Sequence, residues 1–186
     1  MHPFDSRSSS GAAIARPTWA FMAANPAHLL ALGAGAGLSP KAPGTAGTLW
    51  AWAAFLLLQR FELSDTAWAM LIAASIVLGV WACAVTARNM RVRDPGSIVW
   101  DEIAAFWLVL WLIGPAGFWG QLAAFALFRY FDAAKPGPVA WADGLFHGVD
   151  PSSDRLAWHK AGFGIMLDDL VAAGCTLLVV AIWRFI

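Results

Sequence analysis

The chain has 186 residues, 60% of them hydrophobic and only 13% charged, with 12 tryptophans and a formal net charge of zero. Ordinary soluble domains are roughly 45–50% apolar and about 25% charged, so this balance argues against a water-soluble domain. The neutral charge offers no basic field for nucleic acid. Several long apolar runs point to an all-α integral membrane protein.

Residues 1–17 are polar and Ser-rich, with no basic segment leading into an apolar core, and read as a disordered tail rather than a signal peptide. Residues 18–186 read as one membrane-embedded domain. Asn25 followed by Pro26 marks a helix start, with Asn25 as N-cap and Pro26 in the first turn. From Gly33 to Thr48 glycine and proline are too dense for a regular lipid-facing helix. Irregular backbone at membrane depth survives only inside protein or beside water, so 33–48 is expected to be a re-entrant or interfacial loop.

About five short transmembrane or re-entrant helices are expected: 49–58, beginning near Ala46; 66–87; 98–113, stopped by Gly114-Pro115; 118–131; and 163–185. The clearest full span is 66–87, with about the 20 residues that a bilayer needs. A turn at 59–65, a basic loop at 88–96 and a polar segment at 132–162 connect them. Cys83 and Cys175 lie inside apolar runs and read as small core residues.

Each crossing reverses the side of the membrane. With the Gly/Pro loop on one face, Asp101-Glu102 open the third span on that face. Arg129, Asp132 and Lys135 end the fourth there, and Asp168-Asp169 begin the fifth. His28 and the 39–48 loop join them. Of the 12 Lys and Arg, only Arg60 and Arg184 fall on the opposite face. The excess of basic residues places the charged face and the N-terminus in the cytoplasm.

A carboxylate at the edge of hydrocarbon is costly to desolvate and usually faces a cavity, a metal or a partner charge. Asp101-Glu102 stand about 100° apart around a helix, and also suit a helix N-terminus, where negative charge complements the macrodipole. Asp168-Asp169 invite the same two readings. Arg129, Asp132 and Lys135, spaced by three, form either a local ladder of ion pairs or a carboxylate for a metal with two cations for an oxyanion. Several Asp and Glu without a Cys or His cluster favour a hard cation, Mg²⁺ above all. His28, His147 and His159 are scattered. The 33–48 loop lacks the Gly-x-x-x-x-Gly-Lys-Ser/Thr pattern of nucleotide-binding loops, though backbone N–H groups near Pro43-Gly44-Thr45 can still cradle an anion. A transporter using the carboxylates for ions or protons is the rival reading, and suits poorly the scarcity of polar groups mid-span.

Four motifs resemble the phosphatidylglycerophosphatase A family. They are Asn25-Pro26-Ala27-His28 with Gly37-Leu38-Ser39-Pro40-Lys41-Ala42-Pro43-Gly44-Thr45-Ala46-Gly47-Thr48; Asp94-Pro95-Gly96-Ser97-Ile98-Val99-Trp100-Asp101-Glu102; Phe128-Arg129-Tyr130-Phe131-Asp132 with Lys135-Pro136; and Gly164-Ile165-Met166-Leu167-Asp168-Asp169. The resemblance implies a Mg²⁺-dependent phosphatase of the bacterial inner membrane. Its substrate would be a phospholipid, phosphatidylglycerophosphate, and its product phosphatidylglycerol. Asp101, Glu102, Asp132, Asp168 and Asp169 are then the expected metal and catalytic residues, with His28 a further catalytic candidate. Arg129, Lys135, Ser39, Pro43, Gly44, Thr45 and Thr48 are expected to bind substrate. Activated water and a phosphoenzyme on Asp, Ser39, Thr45 or His28 both remain open. Residues 148–161 depart from the family pattern as an insertion, expected to form a cytoplasmic surface loop. The signature strings of CDP-alcohol phosphotransferases and type-2 phosphatidate phosphatases do not occur.

Overall fold

The computed structural model describes residues 16–146 and 156–185, which form helices and turns with no strand among them. Most of the expected tail, His147 and most of the 148–161 insertion lie outside the described residues. Two short helices open the fold. Helix α1 (Trp19–Ala23) starts where the Thr18 hydroxyl accepts a hydrogen bond from Phe21 N. Helix α2 (Pro26–Ala31) is capped by Asn25 as expected, its side chain accepting from Ala27 N at 2.9 Å.

The Gly/Pro segment departs from its expected form. A kinked 3-10 stretch covers Gly33–Leu38, but α3 already begins at Pro43 and runs to Leu58. The expected loop over 33–48 is thus helical from Pro43 onward. Proline is tolerated in a first turn because its missing N–H would have no intrahelical partner there.

Helix α4 (Asp65–Met90) is capped by Ser64 and is longer than the expected 66–87. Helix α5 (Trp100–Leu112) has 13 residues, about 20 Å at 1.5 Å per residue. Helix α6 (Phe118–Ala134) follows, then the short α7 (Pro138–Gly144). The last helix, α8 (Ala157–Phe185), begins six residues earlier than the expected 163. The polar segment expected at 132–162 therefore holds a helix of its own and the start of another. The end of the insertion, from Ala157, is the first turn of α8.

Among the described residues, two helices are long and apolar enough to cross a membrane, Asp65–Met90 and Ala157–Arg184. The other expected crossings, α3, α5 and α6, have 16, 13 and 17 residues, shorter than the roughly 20 that an upright span needs.

Helix α5 is the hub. Residues Asp101 to Trp107 are all buried, packed among α3, α4 and α8. Val99, Ile103, Phe106 and Val109 are fully enclosed. Tryptophans lock this hub by combining apolar rings with a polar handle. Trp107 donates to Ala51 O in α3 and Trp100 to Ser75 O in α4, each at 2.9 Å. Arg184 near the end of α8 donates to Ile113 O at 2.5 Å, satisfying a carbonyl that α5 leaves open at its C-terminus. Helices α4 and α8 cross closely at Gly162, where an added Cβ would lie 2.5 Å from Val80 O. Cys83 is buried, Cys175 half-buried, and both are free thiols, as expected.

Candidate metal and phosphate site

Every charged side chain of the site comes from a helix end or a helix interior set by this packing. Asp101 and Glu102 occupy the first turn of α5 and are buried, 8% exposed each. Asp168 and Asp169 lie well inside α8, at 8% and 3%. One oxygen from each of Asp101, Glu102 and Asp169 falls within 4.8 Å of the other two. Each of these residues also holds a buried oxygen with no hydrogen-bond partner: Asp101 Oδ1, Glu102 Oε2 and Asp169 Oδ1. Buried polar atoms are almost always satisfied. Three orphaned carboxylate oxygens in one place amount to an unmet demand for positive charge.

The other two acidic candidates are met by cations. Arg129 Nη1 donates to Asp132 Oδ2 at 2.5 Å and also approaches Glu102 Oε1 at 3.4 Å and Thr48 Oγ1 at 3.3 Å. Lys135, the left-handed residue that ends α6 at φ 43°, reaches Asp168 Oδ2 at 2.6 Å and Asp143 Oδ1 at short range. Burial alone would lower the Lys135 pKa, but its hydrogen bonds to Asp143 and Asp168 outweigh this and raise it well above the usual lysine value. The Asp168 Oδ1 atom accepts from Asp169 N at 3.1 Å, so both of its oxygens are engaged.

Helix α3 brings its first turn to the same place. An added Cβ on Gly44 would lie 2.1 Å from Glu102 Oε1 and 3.1 Å from Arg129 Nη2. No side chain fits there unless Glu102 and Arg129 move. Thr48, fully buried, donates to Gly44 O at 2.9 Å and accepts from Arg129. Pro43 and Thr45 are half-buried in the same first turn. The Ser39 hydroxyl instead donates to Lys41 O at 2.8 Å, closing a local turn before the helix.

His28 is used differently. Its Nδ1 meets Phe21 O and its Nε2 meets Asn89 Nδ2, both at 2.8 Å, and its ring stacks on Phe21 at 4.0 Å. Both ring nitrogens are occupied, and the histidine joins α1 and α2 to α4.

One site residue lies outside the sequence motifs. Asp143 in α7 shares Lys135 with Asp168, and both aspartates line a cavity of about 70 Å³ with Arg93, Asp94 and Gly164. Pro138 and Gly144, bracketing a seven-residue segment, are the signal that could have placed Asp143 on a short helix.

A family model described as phosphatidylglycerophosphatase A matches residues 29–184. The phosphatidylglycerophosphatase A of Escherichia coli K12 is 42% identical over 154 residues, which cover 80% of this chain and 77% of that protein. Its counterpart from Haemophilus influenzae is 40% identical over 156 residues, 84% of this chain and 87% of its own. A Bacteroides thetaiotaomicron protein, provisionally named a phosphatidylinositol-3-phosphatase, is 32% identical over 163 residues, 85% of this chain and 93% of its own. No solved structure matches the chain.

Proposed function

Because this chain belongs to the phosphatidylglycerophosphatase A family, we propose that it is a Mg²⁺-dependent phosphatase that hydrolyses phosphatidylglycerophosphate to phosphatidylglycerol and phosphate in phospholipid biosynthesis. The observation that carries the metal-dependent reading is the trio of buried, unpartnered oxygens on Asp101, Glu102 and Asp169. An all-oxygen donor set that is crowded and short of positive charge fits Mg²⁺, which takes one or two carboxylates and keeps places for water and phosphate. Bound there, the ion would neutralise charge on the phosphate oxygens and make a water more acidic.

The chain's own groups supply the rest. Arg129, fixed by Asp132, Glu102 and Thr48, sets a guanidinium against the carboxylates where a phosphate would sit. Lys135 stays protonated and positioned between Asp143 and Asp168, ready to meet a second phosphate oxygen. Gly44 keeps the first turn of α3 clear of Glu102, and the backbone N–H groups of that turn favour an anion beside them. The apolar body of α5 beneath excludes water, which strengthens each of these electrostatic contacts. Ser39, Pro43 and Thr45 would act through the shape of this turn.

We place the enzyme in the bacterial inner membrane as a multi-pass protein with its site and N-terminus cytoplasmic. The apolar α4 and α8, and the distribution of Lys and Arg, support this. In this reading α3, α5 and α6 complete a set of five crossings. Family membership gives no support to the transport reading. Substrate breadth is open to test, because one relative carries the name of an inositol-lipid phosphatase.

The deciding assay is phosphate release from phosphatidylglycerophosphate by the purified protein, with and without Mg²⁺, beside Asp169→Ala. Release that requires Mg²⁺ and disappears in the variant is expected. Equal release without the ion would remove Mg²⁺ from the reading, and no release by a folded protein would redirect it to another phospholipid, beginning with phosphoinositides.

A further inference from the structure

Helices α3 and α6 leave a groove of about 370 Å³ between them, lined by Leu49, Trp52, Ala53, Leu56, Phe118 and Gln121. Its floor is a built feature. Trp52 spans the gap, stacking on Phe118 and on Phe125, each at 5.8 Å, while its indole N–H donates to Gln121 Oε1 at 2.6 Å. Gln121 Nε2 in turn donates to Ala116 O at 2.9 Å. The amide oxygen and nitrogen are both engaged, so the groove presents no unmet polar group and suits hydrocarbon.

The groove also adjoins the site. Leu49 directly follows Thr48, whose hydroxyl takes the Arg129 hydrogen bond. From Leu49 to Leu56 the wall runs about 10 Å along α3, away from the carboxylates. The two helices that border it also deliver Gly44, Thr48 and Arg129. On α6 the lining residues Phe118 and Gln121 lie two to three turns, roughly 12–17 Å, from Arg129, so the trough leads from the α3 side of the site toward the far end of α6.

We propose that this groove seats one acyl chain of the lipid whose phosphate lies at the carboxylate site, an inference that rests on the phosphatase reading above. The tether identifies the occupant. A phospholipid with its phosphate beside Arg129 and Thr48 must lay its chains within reach of that point, and this apolar trough starts one residue away. In a bilayer the groove gains little from the hydrophobic effect, because lipid tails are as apolar as leucine. Its contribution is orientation: a chain laid along α3 holds the head group in line with the carboxylates, and small misplacements at a reacting centre are costly.

The test compares Ala53→Trp, which fills the trough from an exposed position, with the milder Ala53→Leu. Phosphate release is measured on dioleoyl phosphatidylglycerophosphate and on a dibutanoyl analogue whose chains are too short to need the groove. We expect kcat/KM on the dioleoyl lipid to fall about tenfold in Ala53→Trp and less in Ala53→Leu, with turnover of the dibutanoyl analogue unchanged. Equal losses on both substrates would mean a general packing defect and overturn the inference. Unchanged rates on both would mean that the chains lie elsewhere, including the open bilayer, and overturn it too. A wild-type protein that releases phosphate from neither substrate would bring down the phosphatase reading itself, which the variant comparison alone cannot do.

Discussion

Asp101, Glu102 and Asp169 each keep a buried oxygen that no protein group meets, whereas Asp132 and Asp168, from the same end of the molecule, are each held by a cation. Chemically these side chains are near equivalents. What separates them is how closely the fold brings a cation: Arg129 and Lys135 sit hard against the second set, and of the first set only Glu102 is approached, by Arg129 at 3.4 Å. Grouping unpaired carboxylates costs stability unless something positive arrives. In the proposed reading the trio with unmet oxygens takes the metal, and Asp132 and Asp168 are the frame that holds the neighbouring cations still.

Neutralising one member of the trio without changing its shape should break the comparison most sharply. Asp169→Asn is expected to cut turnover by about a thousandfold or more. It should also raise the melting temperature of the metal-free protein, since one of three crowded charges is gone. Turnover near normal, or a lower melting temperature in chelator, would refute the division into two sets.

Asp132→Asn attacks the frame instead. A loss of about 10- to 100-fold is expected, because Arg129 is no longer held at Asp132 Oδ2. Stabilisation by Mg²⁺ should distinguish the two variants. A ligand at 100 times its Kd adds about 2.7 kcal/mol, and this gain should persist in Asp132→Asn and vanish in Asp169→Asn. A thermal melt across a Mg²⁺ series measures it. Loss of the Mg²⁺ effect in both would move Asp132 into the metal set.

Gly44→Ala probes the contact between the sets, because the added methyl would press on Glu102 and Arg129 together. Overpacking of this kind costs about 1–3 kcal/mol. A drop in turnover larger than the loss of stability would show that the α3 turn positions the site, and a silent substitution would mean that the turn has room to yield.

The smallest effect concerns pH. The folded-state pKa of Lys135 is raised, so its contribution to stability is complete below the ordinary lysine pKa, about 10.4, and is lost only as pH rises through the higher folded value. The difference in melting temperature between the wild type and Lys135→Gln should not shrink as pH rises from about pH 8 to about pH 9, still below the ordinary lysine pKa. A difference that shrinks within that window would mean that the lysine titrates early and is not clamped.

Much of this site is legible in the amino-acid sequence. Carboxylates inside apolar runs are conspicuous because burial is so costly for them, which singles out Asp101, Glu102, Asp168 and Asp169. Counting crossings brings Arg129, Asp132 and Lys135 to the same end, and the fold does set Arg129 against Glu102 and Lys135 against Asp168. The pairing is legible only in part. Arg129 and Asp132 stand three residues apart on α6, a spacing that brings them together, but the approach of Arg129 to Glu102 depends on how α5 and α6 dock, and no local pattern encodes that distance. The helical start at Pro43 is hidden by its glycines, whose reason is tertiary: Gly44 yields its space to Glu102. Asp143 escapes notice because its partner, Lys135, lies across a turn in a separate helix.

Lys135 also ends α6, in a left-handed conformation that glycine adopts at far lower cost. A glycine there would make a better stop for the helix but would take from Asp168 the lysine that holds it, and losing a partner of a buried carboxylate costs more than one relieved left-handed residue returns. The strained end of α6 is therefore held in place by the ion pairs its lysine makes, so the helix stop and the site stand or fall together.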